Sequence, residues 1–336
     1  MPVLTLHYCS VFYHAYLSKK NKAHYCKMNS MKHKDIEKMV DQVIFPVTKS
    51  GINHRLRKVM VRLLGDLFKS IEDLDMTSDE VWLGLDFINQ CAKADEIGML
   101  TAGLGIEHFL DMRMDQKEKA LGMERATPRA IEGPLYVTGA PESVGFARLD
   151  DGIDLDNSEI LFMQGTVRNS NGWPLPDARV EVWHADNQGN YSYFDVSQTP
   201  FNLRRTIITD KAGKYQFRSI VPAGHGLEAE GPMDKLLNQL GRHGQRPAHI
   251  HFSISCQEYR KLTTQITIEG SEYVGTDFAF SEHPHLLPTM NYIIDDKEIA
   301  DRKLNRPFAS IDFDFYLHPE HPNAPPAQVK RNRTSA

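Results

Sequence analysis

From Asp35 to about Leu121 apolar residues return at helical intervals, as Ile36, Met39, Val40, Val43 and Ile44, and then as Leu56, Met60, Leu63, Leu64, Leu67 and Ile71. Thr77 with Glu80 three residues later is a capping box, and it opens a helix carrying Val81, Leu85 and Ile88. A further helix is predicted from Gly105 to Lys119. The plain use of such stripes is packing of helix on helix, ahead of binding a partner.

After Ala126 the pattern changes to period two, punctuated by Pro and Gly at short intervals. Leu161–Val167 and Arg179–His184 read as a pair joined by a turn at Asn171 and Gly172. Thr206–Thr209 and Tyr215–Ser219 read as another, turning at Ala212 and Gly213. Ala248–Ser255, Thr263–Ile268 and Ile311–Leu317 complete the strands, the last with Ile311, Phe313 and Phe315 on one face. Many short strands with frequent turns favour a two-sheet sandwich over a parallel sheet. The fold class is α+β: a helical region over 31–125, a β-sandwich domain over 126–336, and an extension over 1–30 expected to be disordered.

In that extension apolar residues are broken by His7, Ser10 and His14 and followed by Lys19, Lys20 and Lys22. It is too short and polar for a membrane span, and its charge order is the reverse of a secretory signal. The 336 residues are 41% hydrophobic and 25% charged with a net charge of -5, an ordinary globular composition giving no reason to expect a nucleic-acid partner. Cys9, Cys26, Cys91 and Cys256 lie far apart without metal-type spacing, which reads as reduced thiols in a cytoplasmic protein.

Chemistry concentrates around Arg246-Pro247-Ala248-His249-Ile250-His251-Phe252. Alternation sets His249 and His251 on one face of a strand while Ile250, Phe252 and Ile254 face a core. Such a pair serves as a metal anchor, a satisfied core pair or part of a zinc site. Tyr191, after Gly189, and His225, between Gly224 and Gly226, are the candidates to complete it, because glycine lets backbone approach a bound group. A phenolate donor tilts the metal towards Fe(III). No serine-nucleophile motif and no phosphate-cradling glycine loop is present.

From about Ile36 onwards the chain resembles the intradiol ring-cleavage dioxygenases, and among them most of all the catechol 1,2-dioxygenases. The motifs that carry the likeness are Thr127-Pro128-Arg129 with Ile131-Glu132-Gly133-Pro134-Leu135-Tyr136, Val180-Glu181-Val182-Trp183-His184-Ala185 running to Tyr191-Ser192, Phe201-Asn202-Leu203-Arg204-Arg205, and Leu240-Gly241-Arg242-His243-Gly244 running through His251 to Leu262-Thr263-Thr264-Gln265. The resemblance implies a helical dimerisation region, hence a homodimer, with enclosure of a lipid by its apolar faces left open. It implies a catalytic sandwich holding one non-haem Fe(III), with catechol and dioxygen as substrates and cis,cis-muconate as product. Tyr191, His249 and His251 match metal ligands, Arg246 the arginine that stabilises carbanion charge on the ring, and Gln265 a supporting glutamine. Met99, Ala102, Ile131, Gly133, Pro134, Leu135, Leu227, Phe278 and Ala279 match the substrate pocket. Met99 and Ala102 stand where catechol enzymes carry Leu and Pro, which leaves the tolerance of ring substituents open.

His225 is the departure. It occupies the position of the family's second, axial tyrosine, which leaves the metal and takes a proton when substrate binds. An imidazole can still ligate and accept that proton, but it brings no negative charge, so weaker ferric selectivity, altered colour and slower turnover are expected. Two alternatives stay open: the same reaction on hydroxyquinol or a chlorocatechol, and a non-catalytic metal-binding β-sandwich, for which His225 is the argument. His184 and His243 read as scaffold residues, His283 and His285 as a surface loop, and Tyr136 as a core aromatic or a donor near Arg246.

Overall fold

The computed structural model describes residues 31–44, 52–123, 125–152 and 157–327, with a two-residue strand at 334–335. The extension over 1–30, with Cys9 and Cys26, lies outside the described residues. Contacts divide the chain into two units, Met1–Lys93 and Ala94–Ala336.

Three helices make up the described part of the first unit: α1 (His33–Ile44), α2 (His54–Asp73) and α3 (Ser78–Lys93). Asn53 caps α2 by accepting from Leu56 N at 2.9 Å. The capping box forms at α3, where Glu80 N donates to Thr77 Oγ1 (3.2 Å) and Thr77 N donates to Glu80 Oε2 (2.7 Å). The stripes are less occupied than helix-on-helix packing requires. Ile36, Val40 and Cys91 are buried, whereas Leu56, Leu63, Leu67, Leu85 and Ile88 stay exposed. Three helices in a chain offer too little surface to cover both faces of α2 and α3.

The second unit opens with α4 (Ile97–Gly103) and α5 (Ile106–Lys119), joined through Gly105 at φ +70. Its strands are β1 (Val137–Thr138), β2 (Glu142–Val144), β3 (Phe146–Arg148), β4 (Ile160–Asn169), β5 (Arg179–His184), β6 (Arg204–Ile208), β7 (Lys214–Ile220), β8 (His225–Gly226), β9 (Gln245–Arg246), β10 (His249–Ser255), β11 (Leu262–Thr267), β12 (Asn291–Ile293), β13 (Phe308–Asp312), β14 (Phe315–Leu317) and β15 (Thr334–Ser335). Helix α6 (Pro232–Gln239) lies between β8 and β9, and α7 (Asp296–Asp301) between β12 and β13. One sheet runs β11-β10-β5-β6-β2 and the other β12-β13-β4-β7-β3, with β14 also on β4. Between them Val180, Val182, Ile250, Phe252, Ile254 and Ile266 from the first sheet pack with Leu161, Met163, Phe217, Ile311 and Phe315 from the second.

Both sequence-paired hairpins are corrected. Their turns exist, with Gly172 N donating to Asn169 O (2.8 Å) and Gly213 N to Asp210 O (2.9 Å). Each turn nevertheless passes the chain to the opposite sheet, so β4 pairs with β7 and β5 with β6. A period-two pattern specifies which face of a strand is buried and leaves its neighbour unspecified. The predicted strand Ile311–Leu317 also divides into β13 and β14, both parallel to β4. The break sits where the Phe313 carbonyl approaches Gly165 so closely that a Cβ there would lie 1.7 Å away. His184 ties the two sheets together, its Nε2 2.7 Å from Ser219 Oγ and its Nδ1 2.7 Å from the Ala185 carbonyl.

Candidate metal and active site

The inner face of β10 is used up by the core, so its other face is free for chemistry. His249 and His251 emerge there, buried, with Gln265 opposite His251 on β11 and Trp183 opposite it on β5. Trp183 lies flat on the His251 ring, 4.9 Å between centroids and 4° between planes, which fixes the imidazole's orientation. His249 is fixed by its Nδ1, 2.7 Å from the Pro247 carbonyl. A carbonyl only accepts, so the proton sits on Nδ1 and Nε2 carries the lone pair.

Two loops bring the remaining donors over this face. Tyr191 is buried with its ring edge-on to His225 at 5.4 Å, and the His225 ring lies 5.1 Å from that of His249. Backbone proximity makes this possible. At Gly189 (φ +90) a Cβ would sit 2.7 Å from the Gly224 carbonyl, and at Gly224 a Cβ would sit 2.6 Å from the Arg246 carbonyl. His225 is then registered opposite Arg246 by pairing of β8 with β9.

Among Tyr191, His225, His249 and His251 the donor atoms differ in what they touch, and His249 Nε2 already accepts from Arg246 Nη1 at 3.0 Å. The Tyr191 hydroxyl and His225 Nε2 are buried with no hydrogen bond, and His249 Nε2 and His251 Nε2 stand 3.1 Å apart. Two imidazole nitrogens each about 2.1 Å from one ion would be separated by about 3 Å when the bonds are near right angles. Among the described residues no group of three or more His, Cys, Asp and Glu is arranged to hold a metal ion. Burial pushes the His225 imidazole down to about 4 and those of His249 and His251 well below the usual range, with Arg246 acting in the same direction. Neutral imidazole is the form that ligates. Burial likewise raises the Tyr191 phenol to about 12, against the pull of Arg246 and Arg204. A phenol so buried gives up its proton only to a strong positive charge placed beside it.

Arg246 borders the donors. It is held in a bidentate pair with Asp277, Nε to Oδ1 and Nη2 to Oδ2 at 3.0 Å each, while Nη2 donates to Gln265 Oε1 (2.7 Å) and Nη1 to His249 Nε2 (3.0 Å). A narrow cleft opens over this edge, lined by His225, Arg246 and His251. Met99 and Ala102 from α4, Ile131, Gly133, Pro134 and Leu135 from the segment before β1, and Leu227, Phe278 and Ala279 from the loops form the rest of its wall. Tyr191 and Gln265 stand behind that lining.

The family model described as "Dioxygenase" matches residues 131–319, and the one described as "Catechol dioxygenase N terminus" matches residues 53–122. The chain belongs to the intradiol ring-cleavage dioxygenase family. It is 51% identical to a catechol 1,2-dioxygenase of Acinetobacter baylyi over 80% of this chain and 87% of that protein. With that of Acinetobacter guillouiae it shares 47% over 85% and 94% respectively. The crystal structure of the Acinetobacter radioresistens catechol 1,2-dioxygenase superposes with a TM-score of 0.88 at 49% identity, covering 91% of this chain and 99% of that one. Chlorocatechol and hydroxyquinol 1,2-dioxygenases match at 27–30% identity.

Within this dioxygenase, sequence reasoning missed Asp277, which no spacing rule connects to Arg246, and Arg204, whose buried guanidinium is set by the end of β6. Tyr136 is corrected as a donor near Arg246: its hydroxyl donates to Glu181 Oε1 (2.7 Å) and its ring meets Trp183 edge-on. His243 accepts from Gln245 N (3.1 Å), and His283 from His285 N (3.1 Å), both away from the donor set.

Proposed function

We propose that this protein is a catechol 1,2-dioxygenase, cleaving catechol between its hydroxyl-bearing carbons with dioxygen to cis,cis-muconate at a non-haem Fe(III). The observation that carries the reading is the adjacency of the Tyr191, His225, His249 and His251 rings, with the Tyr191 hydroxyl and His225 Nε2 unpartnered, beside a cleft edged by Arg246. Tyr191, His225, His249 and His251 would hold the ion, Tyr191 contributing the one negative charge of the set. A ferric ion held there would act as a Lewis acid that stabilises the doubly deprotonated catecholate, the form whose ring carbons carry the electron density open to dioxygen.

The protein's own groups do the rest. His225 Nε2, when not engaged by the ion, is the protein atom placed to accept a catechol hydroxyl proton, working against the burial that holds the imidazole neutral. Arg246, immobilised by Asp277 and Gln265, presents a guanidinium whose charge offsets the negative charge developing on the ring. Apolar walls from Ile131, Pro134, Leu135 and Phe278 exclude water and grip the ring faces. With His225 in place of a second anionic donor, the protein would supply one negative charge rather than two to a ferric ion held there. The protein is also read as a cytoplasmic homodimer built through its helical region. The exposed Leu56, Leu63, Leu67, Leu85 and Ile88 support that reading, and their apolar faces also suit a lipid chain. Among the described residues no helix is long and apolar enough to cross a membrane.

Oxygen uptake with catechol, with iron counted in the same preparation, tests this function. Uptake matched by muconate absorbance supports it. Bound metal with no uptake favours the non-catalytic sandwich, for which the substitution at His225 is the observation.

A further inference from the structure

A second buried guanidinium stands beside the donor set, and it differs from Arg246 in having no anion. Arg204 is 1% exposed, and its Nε and Nη2 donate to Ser192 Oγ (2.9 Å) and Ser192 O (3.1 Å), its Nη1 to Leu135 O (2.8 Å). All of these acceptors are neutral, and among the described residues no carboxylate forms an ion pair with it. Keeping a permanent charge out of water without a counter-charge is strongly unfavourable, and an apolar side chain of similar size would avoid the cost. The phenols of Tyr191, Tyr193 and Tyr136 are near enough to offset it once deprotonated. Of these Tyr136 is committed to Glu181, whereas the Arg204 Cζ stands 5.7 Å from the Tyr191 ring centroid and the Tyr191 hydroxyl has no partner.

We propose that Arg204 is a positioning residue for the metal centre: its fixed charge is the counter-ion of the Tyr191 phenolate in the loaded site, and its hydrogen bonds lock the Tyr191–Ser192 loop to the Leu135 wall of the cleft. This rests on the iron reading above. A fixed positive charge beside the phenolate lowers the energy of its donor electrons and favours the reduced over the oxidised ion. Removing it therefore moves the phenolate-to-iron absorption to longer wavelength and lowers the reduction potential. A tether alone would produce neither shift.

The test compares iron-loaded wild type, Arg204→Lys and Arg204→Gln by visible absorption, by reduction potential, and by melting temperature to confirm folding. Arg204→Lys, which keeps the charge but not the planar fork, is expected to retain the wild-type band and potential while melting lower. Arg204→Gln is expected to show the longer-wavelength band and the lower potential. The proposal is overturned when folded Arg204→Gln keeps both wild-type values, or when Arg204→Lys loses them. If Arg204→Gln does not fold, Arg204→Lys decides alone by the same criterion. A wild type that takes up iron without any phenolate band overturns the iron reading itself, a result separable from the variants' behaviour.

Discussion

Asp277→Asn isolates the ion pair that makes Arg246 usable. The pair is buried, with side-chain exposures of 5% for Arg246 and 1% for Asp277, and is bidentate at 3.0 Å. Removing one member of a buried pair costs about 3–5 kcal/mol because the other charge is stranded away from water. Asparagine keeps an oxygen for Arg246 Nε and for Ala279 N, which Asp277 Oδ1 accepts at 3.0 Å, but turns an N–H towards Arg246 Nη2, so the cost is about 3 kcal/mol or more. About 3 kcal/mol corresponds to roughly a hundredfold loss in the folded-to-unfolded ratio. Urea denaturation of the metal-free protein measures it. Asp66→Asn serves as the control, since its pair with Arg62 is as short, at 2.6 Å, but the side chains are 80% and 49% exposed. That change is expected to cost about 0.5 kcal/mol or less. Equal costs for the two variants would refute the assignment of Arg246 as a buried charge held by Asp277.

Gly189→Ala forces a side chain into a left-handed backbone and against the Gly224 carbonyl, so it is expected to lose about 2 kcal/mol or more of stability and most of the bound iron, read by denaturation and metal analysis. His184, held near 4 by burial against an ordinary 6.5, binds fewer protons when folded than when unfolded. Stability therefore falls as pH drops from about 6.5 towards 4, and His184→Gln is expected to flatten that slope in denaturation curves taken across the window. His225→Tyr adds a second anionic donor. Its iron-loaded form is expected to absorb more strongly in the visible and turn over faster than the wild type, and slower turnover with unchanged absorption would count against His225 as a ligand.

The legible parts of this chain are those where a local rule fixes the outcome. The alternation of β10 alone separates His249 and His251 from Ile250 and Phe252, and the Thr77–Glu80 box alone opens α3. The turns at Gly172 and Gly213 are equally legible, but the sheet that receives the next strand is chosen by the collective closing of two faces around one core. That choice has no signature within either strand. Asp277 carries no sequence signal, and Arg204 stands in a family motif that assigns it no role, for a related reason. Each is one of many charged residues, and its role comes from burial beside a distant side chain, a tertiary property. His225 was singled out by its loop, whereas its sealed Nε2 became known only with Tyr191 folded over it.

The central claim is that Tyr191, His225, His249 and His251 hold one ferric ion that activates a catecholate. It is tested most directly by iron content and visible absorption of wild type against Tyr191→Phe, each before and after anaerobic addition of catechol. The account predicts one iron per wild-type chain, a visible band that catechol shifts, and loss of the resting band in Tyr191→Phe. An unchanged band in Tyr191→Phe, or a wild type that folds and binds no iron, would contradict it.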